Sequence, residues 1–223
     1  MRTFMAVHAL SNDFNNRSVT YRCLTGRSVA HAVIVKEHDF DAHVFACLLA
    51  VSAMEQGTLG ERLGLCSEDL TALAERWFPY ARALSAWHVG GTGNEDDELV
   101  MVRDLLLANR STPGDESRWL AAMIARRAME PNHLWEDLGL RDRSELSRLL
   151  ARHFAPLAVR NTKNMRWKRF FYRTLCEADG VALCTTPVCS SCSDFDLCFG
   201  EESGENRLAY SRLEFALTEM TAA

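Results

Sequence analysis

Four cysteines close together near the carboxyl end constrain this chain more than any other feature of its sequence. Cys184, Cys189, Cys192 and Cys198 follow the spacing Cys-x4-Cys-x2-Cys-x5-Cys within 15 residues. In a chain whose amino end shows no export-signal pattern, such a cluster is typical of a metal site rather than of a disulfide framework. We therefore expect a cytoplasmic protein whose clustered thiols are reduced and bind metal.

The spacing favours an iron-sulfur cluster over a zinc ion. A structural zinc site usually joins two short cysteine turns by a segment of about 12 residues, whereas no gap here exceeds five residues. An iron-sulfur cluster takes one thiolate at each corner, so a single winding loop can wrap it. The first three cysteines match the plant-type 2Fe-2S spacing, but the fourth does not. Zinc stays open as the alternative.

The remaining sequence predicts helices almost throughout, from apolar residues at helical spacing and from capping and turn residues. Ser67 is expected to cap one helix, and Asp142 with Glu145 has capping-box spacing before another. The predicted helices span residues 41–54, 67–78, 95–109, 119–129, 142–155 and 164–178. The only convincing β-branched run, residues 32–35, has no partner of matching pattern. The fold class is therefore predicted to be all-α.

A change in composition near Gly180 divides the chain. Residues 41–180 are predicted to form a single helical domain, and residues 181–223 a cysteine-rich, metal-binding loop and tail. This tail is too short to build its own core, so we expect it to pack on the helical body. Residues 1–40 show little periodicity and are predicted to be a variable extension, of the kind that is often mobile.

Charge is distributed unevenly along the chain. The net charge of -5 argues against a protein that binds nucleic acid over its whole surface. Residues 141–173, however, contain ten Lys or Arg and two acids, a local balance of +8. Such a block either attracts an anion or acidic partner or forms solvated helix faces. No apolar run approaches the roughly 18 residues of a membrane span.

Three further segments accompany the cysteines and make the chain recognisable. They are PNHLWEDLGL at 131–140, HFAPL at 153–157 and NMRWKRFFY at 164–172. Together with the cysteine spacing and the closing Cys198-Phe199-Gly200, they closely resemble the NifQ family of nitrogen-fixation proteins. The resemblance is clear over residues 119–201 and weaker back to residue 41.

The resemblance implies a molybdenum-iron-sulfur protein that donates molybdenum to synthesis of the nitrogenase iron-molybdenum cofactor. It implies that Cys184, Cys189, Cys192 and Cys198 hold the cluster, of either 4Fe-4S or MoFe3S4 type. The implied partners are molybdate or reduced molybdenum and the scaffold proteins of cofactor assembly, with no role for nucleic acid or membrane. Such a protein is a metal carrier rather than a turnover enzyme.

Four basic residues just before the cysteines form a second candidate site. We hypothesise that Arg166, Lys168, Arg169 and Arg173 attract molybdate or offset the charge of a negative cluster.

Other candidates have a more ordinary interpretation. His133 and His153 are able to complete a metal shell, but a histidine bonded to a helix end is more common. Cys176 can supply an extra thiol, although a partly buried helical cysteine is the commoner case. Five aromatic residues resemble a nucleic-acid stacking surface but more often form core and interface: Trp135, Trp167, Phe170, Phe171 and Tyr172.

Two other classes of protein share parts of this pattern. One is a zinc-stabilised interaction module with the basic block as its partner surface. The other is an iron-sulfur DNA-repair glycosylase, but those enzymes have six residues in the first cysteine gap and a Gly-rich hairpin before a catalytic Asp. This sequence has four residues in that gap and no such hairpin.

Overall fold

Helices form nearly all the regular structure in the computed structural model, which describes residues 17–32, 34–80 and 96–178. Within those ranges there are ten α-helices, one short 3-10 helix at Val29–His31 and no strand. The helices are α1 (Arg17–Thr25), α2 (Glu37–Ser52), α3 (Leu59–Leu63), α4 (Ser67–Trp77), α5 (Asp97–Ala108), α6 (Asp115–Ala128), α7 (Leu134–Asp137), α8 (Arg143–His153), α9 (Ala155–Ala158) and α10 (Trp167–Ala178). The all-α prediction is confirmed for the described part of the chain. The cysteine-rich loop lies outside it.

Helix α2 lies at the centre of the core. Its side chains from Val44 to Val51 are all buried, because α1 and α3 pack against it and other core residues cover its remaining faces. A helix that is apolar on all sides is stable only when it is surrounded in this way. The sequence of α2 thus specifies a central helix rather than a surface one.

Helix α1 belongs to this core although it falls within the predicted amino-terminal extension. Its Tyr21 is buried, and the hydroxyl lies 2.7 Å from Nδ1 of His43 on α2. Residues 17–25 therefore pack on the helical body. Residues 1–16 lie outside the described ranges, and the proposed domain boundaries stay predictions.

The short helix α7 ends in a tight turn at Gly139. The amide of Gly139 donates to the Glu136 carbonyl and that of Leu140 to the Trp135 carbonyl, each at 2.9 Å, which is the Schellman pattern. Gly139 has a φ of 72°, and a β-carbon there would lie 2.8 Å from the carbonyl oxygen of Cys47 on α2. Glycine is needed at this position both for its backbone conformation and for close packing.

Helix α10 carries the chain toward the cysteine segment. Its buried side chains form one face, and they pack the helix against α5 and the core. These side chains are Trp167, Phe170, Phe171 and Thr174. No helix among the described residues has the length and apolar character that a membrane crossing requires.

Candidate metal and anion site

The four cysteines expected to hold a cluster, Cys184, Cys189, Cys192 and Cys198, lie outside the described residues. Helix α10 ends at Ala178, six positions before the first of them. The described structure therefore shows what positions the start of the cysteine segment, and the ligand assignment stays a prediction.

Lys168 anchors α10 to the body of the protein. Its Nζ lies 2.6 Å from Oδ2 of Asp137, whose side chain is only 1% exposed, and it also donates to the carbonyl of Glu130. Asp137 is held in turn, because its carbonyl accepts a 2.7 Å hydrogen bond from Nε of the buried Arg127. Lys168, one of the four predicted anion-attracting residues, thus has its charge balanced by a buried carboxylate.

The other three predicted basic residues have different surroundings. Arg166 is half-buried and lies just before α10, where its carbonyl accepts from the Phe170 amide. Arg169 is exposed on α10. Nε of Arg173 lies 2.7 Å from Oε1 of Glu177, one turn further along the helix. Of the four residues, Lys168 is thus paired with a buried carboxylate, Arg173 is paired on its own helix, and only Arg169 is exposed.

The loop between α9 and α10 is held by side chains that bond to backbone. The side-chain amide of Asn161 both accepts from the Met165 amide and donates to the Met165 carbonyl, each at 2.8 Å. Nη2 of Arg143 donates to the carbonyls of Asn164 and Met165 at 3.0 and 2.9 Å. Asn164 has a φ of 52°, a conformation that asparagine tolerates better than most residues. This loop brings two more residues of the basic block, Arg160 and Lys163, beside α10.

The side chain of His153 is buried in the core and is not positioned as a metal ligand. Its Nε2 lies 3.0 Å from Oδ1 of Asp41, and its Nδ1 lies 2.8 Å from the hydroxyl of Thr112. Both ring nitrogens therefore have partners. His133 precedes α7, and its amide donates to the Glu136 carboxylate at 3.1 Å. Both histidines lie at a helix end, but the ring of His153 bonds to side chains of other elements rather than to the helix end.

A network of buried polar groups joins α2 to α8, and no sequence pattern predicts it. Nε2 of His43 lies 3.2 Å from Oε2 of Glu145, and Nε of Arg141 lies 2.5 Å from the other carboxylate oxygen. Burial opposes ionisation of Glu145, but the hydrogen bonds from His43 and Arg141 outweigh it and lower its pKa to about 2. The same network includes the Tyr21 hydroxyl. No local pattern links positions 102 residues apart, so only the fold reveals this contact.

Asp41 on α2 is the centre of a similar cluster. Its carboxylate accepts hydrogen bonds from Nε and Nη2 of Arg152 at 2.8 and 2.7 Å, in addition to the contact with His153. These interactions lower the pKa of Asp41 despite its burial. They tie α8 to α2 a second time.

The cysteines within the described residues differ from the clustered four. Cys47 is fully buried, and burial raises the pKa of its thiol to about 12, so it is not a ready metal ligand. Cys176 is half-buried on α10. Within the described ranges, no three His, Cys, Asp or Glu side chains are grouped so that they could hold a metal ion.

The aromatic residues of the NMRWKRFFY segment pack in or against the core, as the alternative to a stacking surface predicts. Trp167, Phe170 and Phe171 are at most 8% exposed, and the rings of Trp167 and Phe170 make an edge contact at 5.7 Å. Trp135 and Tyr172 are partly buried against the same core. These rings are therefore not arranged as an exposed stacking surface.

Comparison with known proteins identifies the family. The NifQ family model matches residues 44–200, which include all four clustered cysteines. The chain is 44% identical to the protein named "Protein NifQ homolog" from Sinorhizobium fredii, over 76% of each chain. It is 43% identical to Protein NifQ of Rhodobacter capsulatus, over 66% of this chain and 80% of the relative. Protein NifQ of Azotobacter vinelandii is 39% identical over 63% of this chain and 78% of the relative.

No solved structure matches the chain. The family match covers more than half of the sequence and includes both the helical body and the cysteine motif. This chain therefore belongs to the NifQ family.

Proposed function

We propose that this chain is an iron-sulfur protein that binds molybdenum and donates it to synthesis of the nitrogenase iron-molybdenum cofactor. Membership in the NifQ family indicates a role in nitrogen fixation, and the cysteine motif offers four thiols as metal ligands. The observation that carries the proposal is the Cys-x4-Cys-x2-Cys-x5-Cys spacing, which falls inside the family match. Cys184, Cys189, Cys192 and Cys198 are the proposed ligands.

The donor set fits this cargo. Four thiolates within one short segment suit an iron-sulfur cluster of 4Fe-4S or MoFe3S4 type. Molybdenum enters cells as a hard oxyanion, whereas a sulfur-rich site is soft and suits the metal once it has been reduced. The segment is rich in small residues, which allow backbone amides to approach cluster sulfurs.

The helical body supports this role by fixing α10, the helix that precedes the cysteine segment in the sequence. Buried aromatic residues and the Lys168–Asp137 pair hold α10 on the body, so its last turn has a defined position. Arg166, Arg169 and Arg173 then place positive charge just before the cysteines. In the proposed function this charge attracts molybdate and offsets a negatively charged cluster.

In this proposal the protein is a carrier and not a turnover enzyme. Its cargo is molybdenum, which it receives as molybdate or in reduced form and passes to the scaffold proteins of cofactor assembly. Nucleic acid and membrane have no part in it.

Metal analysis of the full chain tests the proposal. Protein purified without oxygen from cells grown with molybdate is expected to contain iron and acid-labile sulfide in near-equal amounts, together with molybdenum. The variant Cys184→Ala should lose most of the iron and sulfide, because one corner of the cluster loses its thiolate. Cys176→Ala is the matched control, since it removes a nearby thiol outside the motif and should keep its iron.

Zinc at about one per chain without sulfide would contradict the proposal and favour the zinc-stabilised interaction module. Full iron content in Cys184→Ala would show that the ligand assignment is wrong.

A further inference from the structure

A cavity of about 150 Å³ lies between the α9–α10 loop and α10. By volume it holds roughly five liquid waters, which is enough for an anion of four oxygens and a bound water. The loop contributes Arg160 and Lys163, and the helix contributes Arg173 and Glu177. The loop and the helix that follows it thus bring charged side chains to one small space.

The charge of this cavity is positive. Arg160, Lys163 and Arg173 line it together with one carboxylate, Glu177, so the formal charges of its lining sum to +2, the sign that attracts an anion. Glu177 is paired with Arg173 at 2.7 Å, and an entering anion would compete with this carboxylate for the guanidinium. Arginine is suited to such an exchange, because its planar fork can bind two oxygens at once.

Neutral groups complete the cavity in a way that suits an oxyanion. Thr162 and Thr174 add hydroxyl groups that can donate hydrogen bonds, and Thr174 is buried. The buried side chains of Met165 and Phe170 supply an apolar wall, which strengthens charge interactions by excluding water on that side.

Side-chain hydrogen bonds and an ion pair from within the protein hold the backbone around the cavity. The bonds from Asn161 and Arg143 fix the loop at Met165 and Asn164, and the Lys168 anchor fixes α10. A preformed site loses less entropy on binding than one that has to fold around its ligand.

We propose that this cavity binds a tetrahedral, doubly charged oxyanion, with Arg160, Lys163 and Arg173 as its cationic contacts. The identity of the anion as molybdate rests on the proposed function. Residue 173 is eleven positions before Cys184, so the cavity lies at the end of the helix that leads to the cysteines.

Equilibrium dialysis of the full chain against labelled molybdate tests this site. Arg173→Gln and Arg160→Gln should each weaken molybdate binding by roughly three- to ten-fold, since each removes a charge-assisted contact that is partly screened by solvent. Glu177→Gln should strengthen it by a few-fold, because the competing carboxylate is gone. Arg27→Gln is the control for general charge, since Arg27 is exposed and does not line the cavity.

Equal binding by Arg173→Gln, Arg160→Gln and the parent protein would overturn the site, as would an equal loss in Arg27→Gln. Competition with sulfate and phosphate distinguishes the sources of the oxyanion. Weak displacement by both supports molybdate, whereas strong displacement by either overturns the molybdate assignment.

Repeating the dialysis with Cys184→Ala separates this inference from the proposed function. Molybdate binding that survives loss of the cluster and still depends on Arg173 supports the cavity. If the parent protein contains iron, sulfide and molybdenum but the cavity variants load molybdenum normally, the cavity inference fails and the carrier function stands. If the parent protein contains no iron or sulfide but binds molybdate through Arg173, the carrier proposal fails and the cavity stands.

Discussion

Charged side chains are arranged in opposite ways in two regions of this molecule. Between α2 and α8, the buried carboxylates of Asp41 and Glu145 are each held by an arginine and a histidine. Around the cavity beside α10, Arg173 pairs with Glu177 near the surface, and both Arg160 and Lys163 are exposed. The buried, balanced charges join helices of the core, whereas the charged side chains around the cavity lie at the surface, where a ligand can reach them.

The largest effect is expected from breaking the balanced region at Asp41. Asp41→Ala should lower the free energy of unfolding by about 3–5 kcal/mol, because Arg152 and the buried His153 lose their common partner. Urea denaturation followed by circular dichroism measures this. Asp104→Ala, which removes a largely exposed carboxylate, should change stability by less than about 0.5 kcal/mol. Similar values for the two variants would remove the distinction between the regions.

Replacing Lys168 tests whether this residue behaves like the buried charged pairs or like the exposed cations. Lys168→Ala should cost about 2–4 kcal/mol, because it leaves the buried Asp137 without its counter-charge. Arg169→Ala, on the exposed side of the same helix, should cost less than about 0.5 kcal/mol. Urea denaturation followed by circular dichroism measures the free energy of unfolding of both variants. If Lys168→Ala changed the free energy of unfolding only slightly, Lys168 would belong with the solvent-facing cations of α10 rather than with the buried pairs.

Acid should weaken the balanced region selectively. The pKa of Glu145 falls from about 4.5 to about 2 on folding, so its stabilisation is complete above pH 5 and is lost as the pH falls toward 2. After allowance for solvent screening, the loss is on the order of 1–2 kcal/mol. Glu145→Gln should show a shallower decline in stability over this range than the parent protein. Parallel declines would mean that Glu145 titrates as an ordinary exposed carboxyl.

The smallest effect on stability is expected from the cavity. Arg173→Gln breaks a pair one helical turn apart, and such pairs contribute about 0.3–0.5 kcal/mol. Its thermal unfolding should therefore be close to that of the parent protein even where its molybdate binding is weaker. A loss of more than about 2 kcal/mol in the free energy of unfolding would show that Arg173 stabilises the fold as the buried charged pairs do.

Local sequence was sufficient for most helix positions and insufficient for contacts across the fold. Asp142 caps α8 as predicted, with its carboxylate accepting from the amides of Ser144 and Glu145. The second half of the predicted capping box did not form. The Glu145 carboxylate turns to His43 and Arg141 instead, because burial makes a partner for its charge more valuable than a cap.

Other differences have equally local causes. Helix α4 takes Cys66 as its N-cap and Ser67 as its first residue, one position earlier than predicted, because Cys66 has the extended backbone that a cap requires. The cavity was missed because it needs the α9–α10 loop and α10 to be side by side. Its cations are part of the basic block, but the sequence alone does not indicate which of those side chains line the same cavity.

The close approach at Gly139 has a consequence for how this family changes over evolutionary time. A β-carbon there would meet both the Cys47 carbonyl and the Val51 side chain, so any other residue forces α7 away from the central helix. This requirement comes from packing alone and does not depend on the proposed metal site. Glycine is therefore expected at this position in any relative that keeps α7 against the central helix, whether or not it keeps the four cysteines.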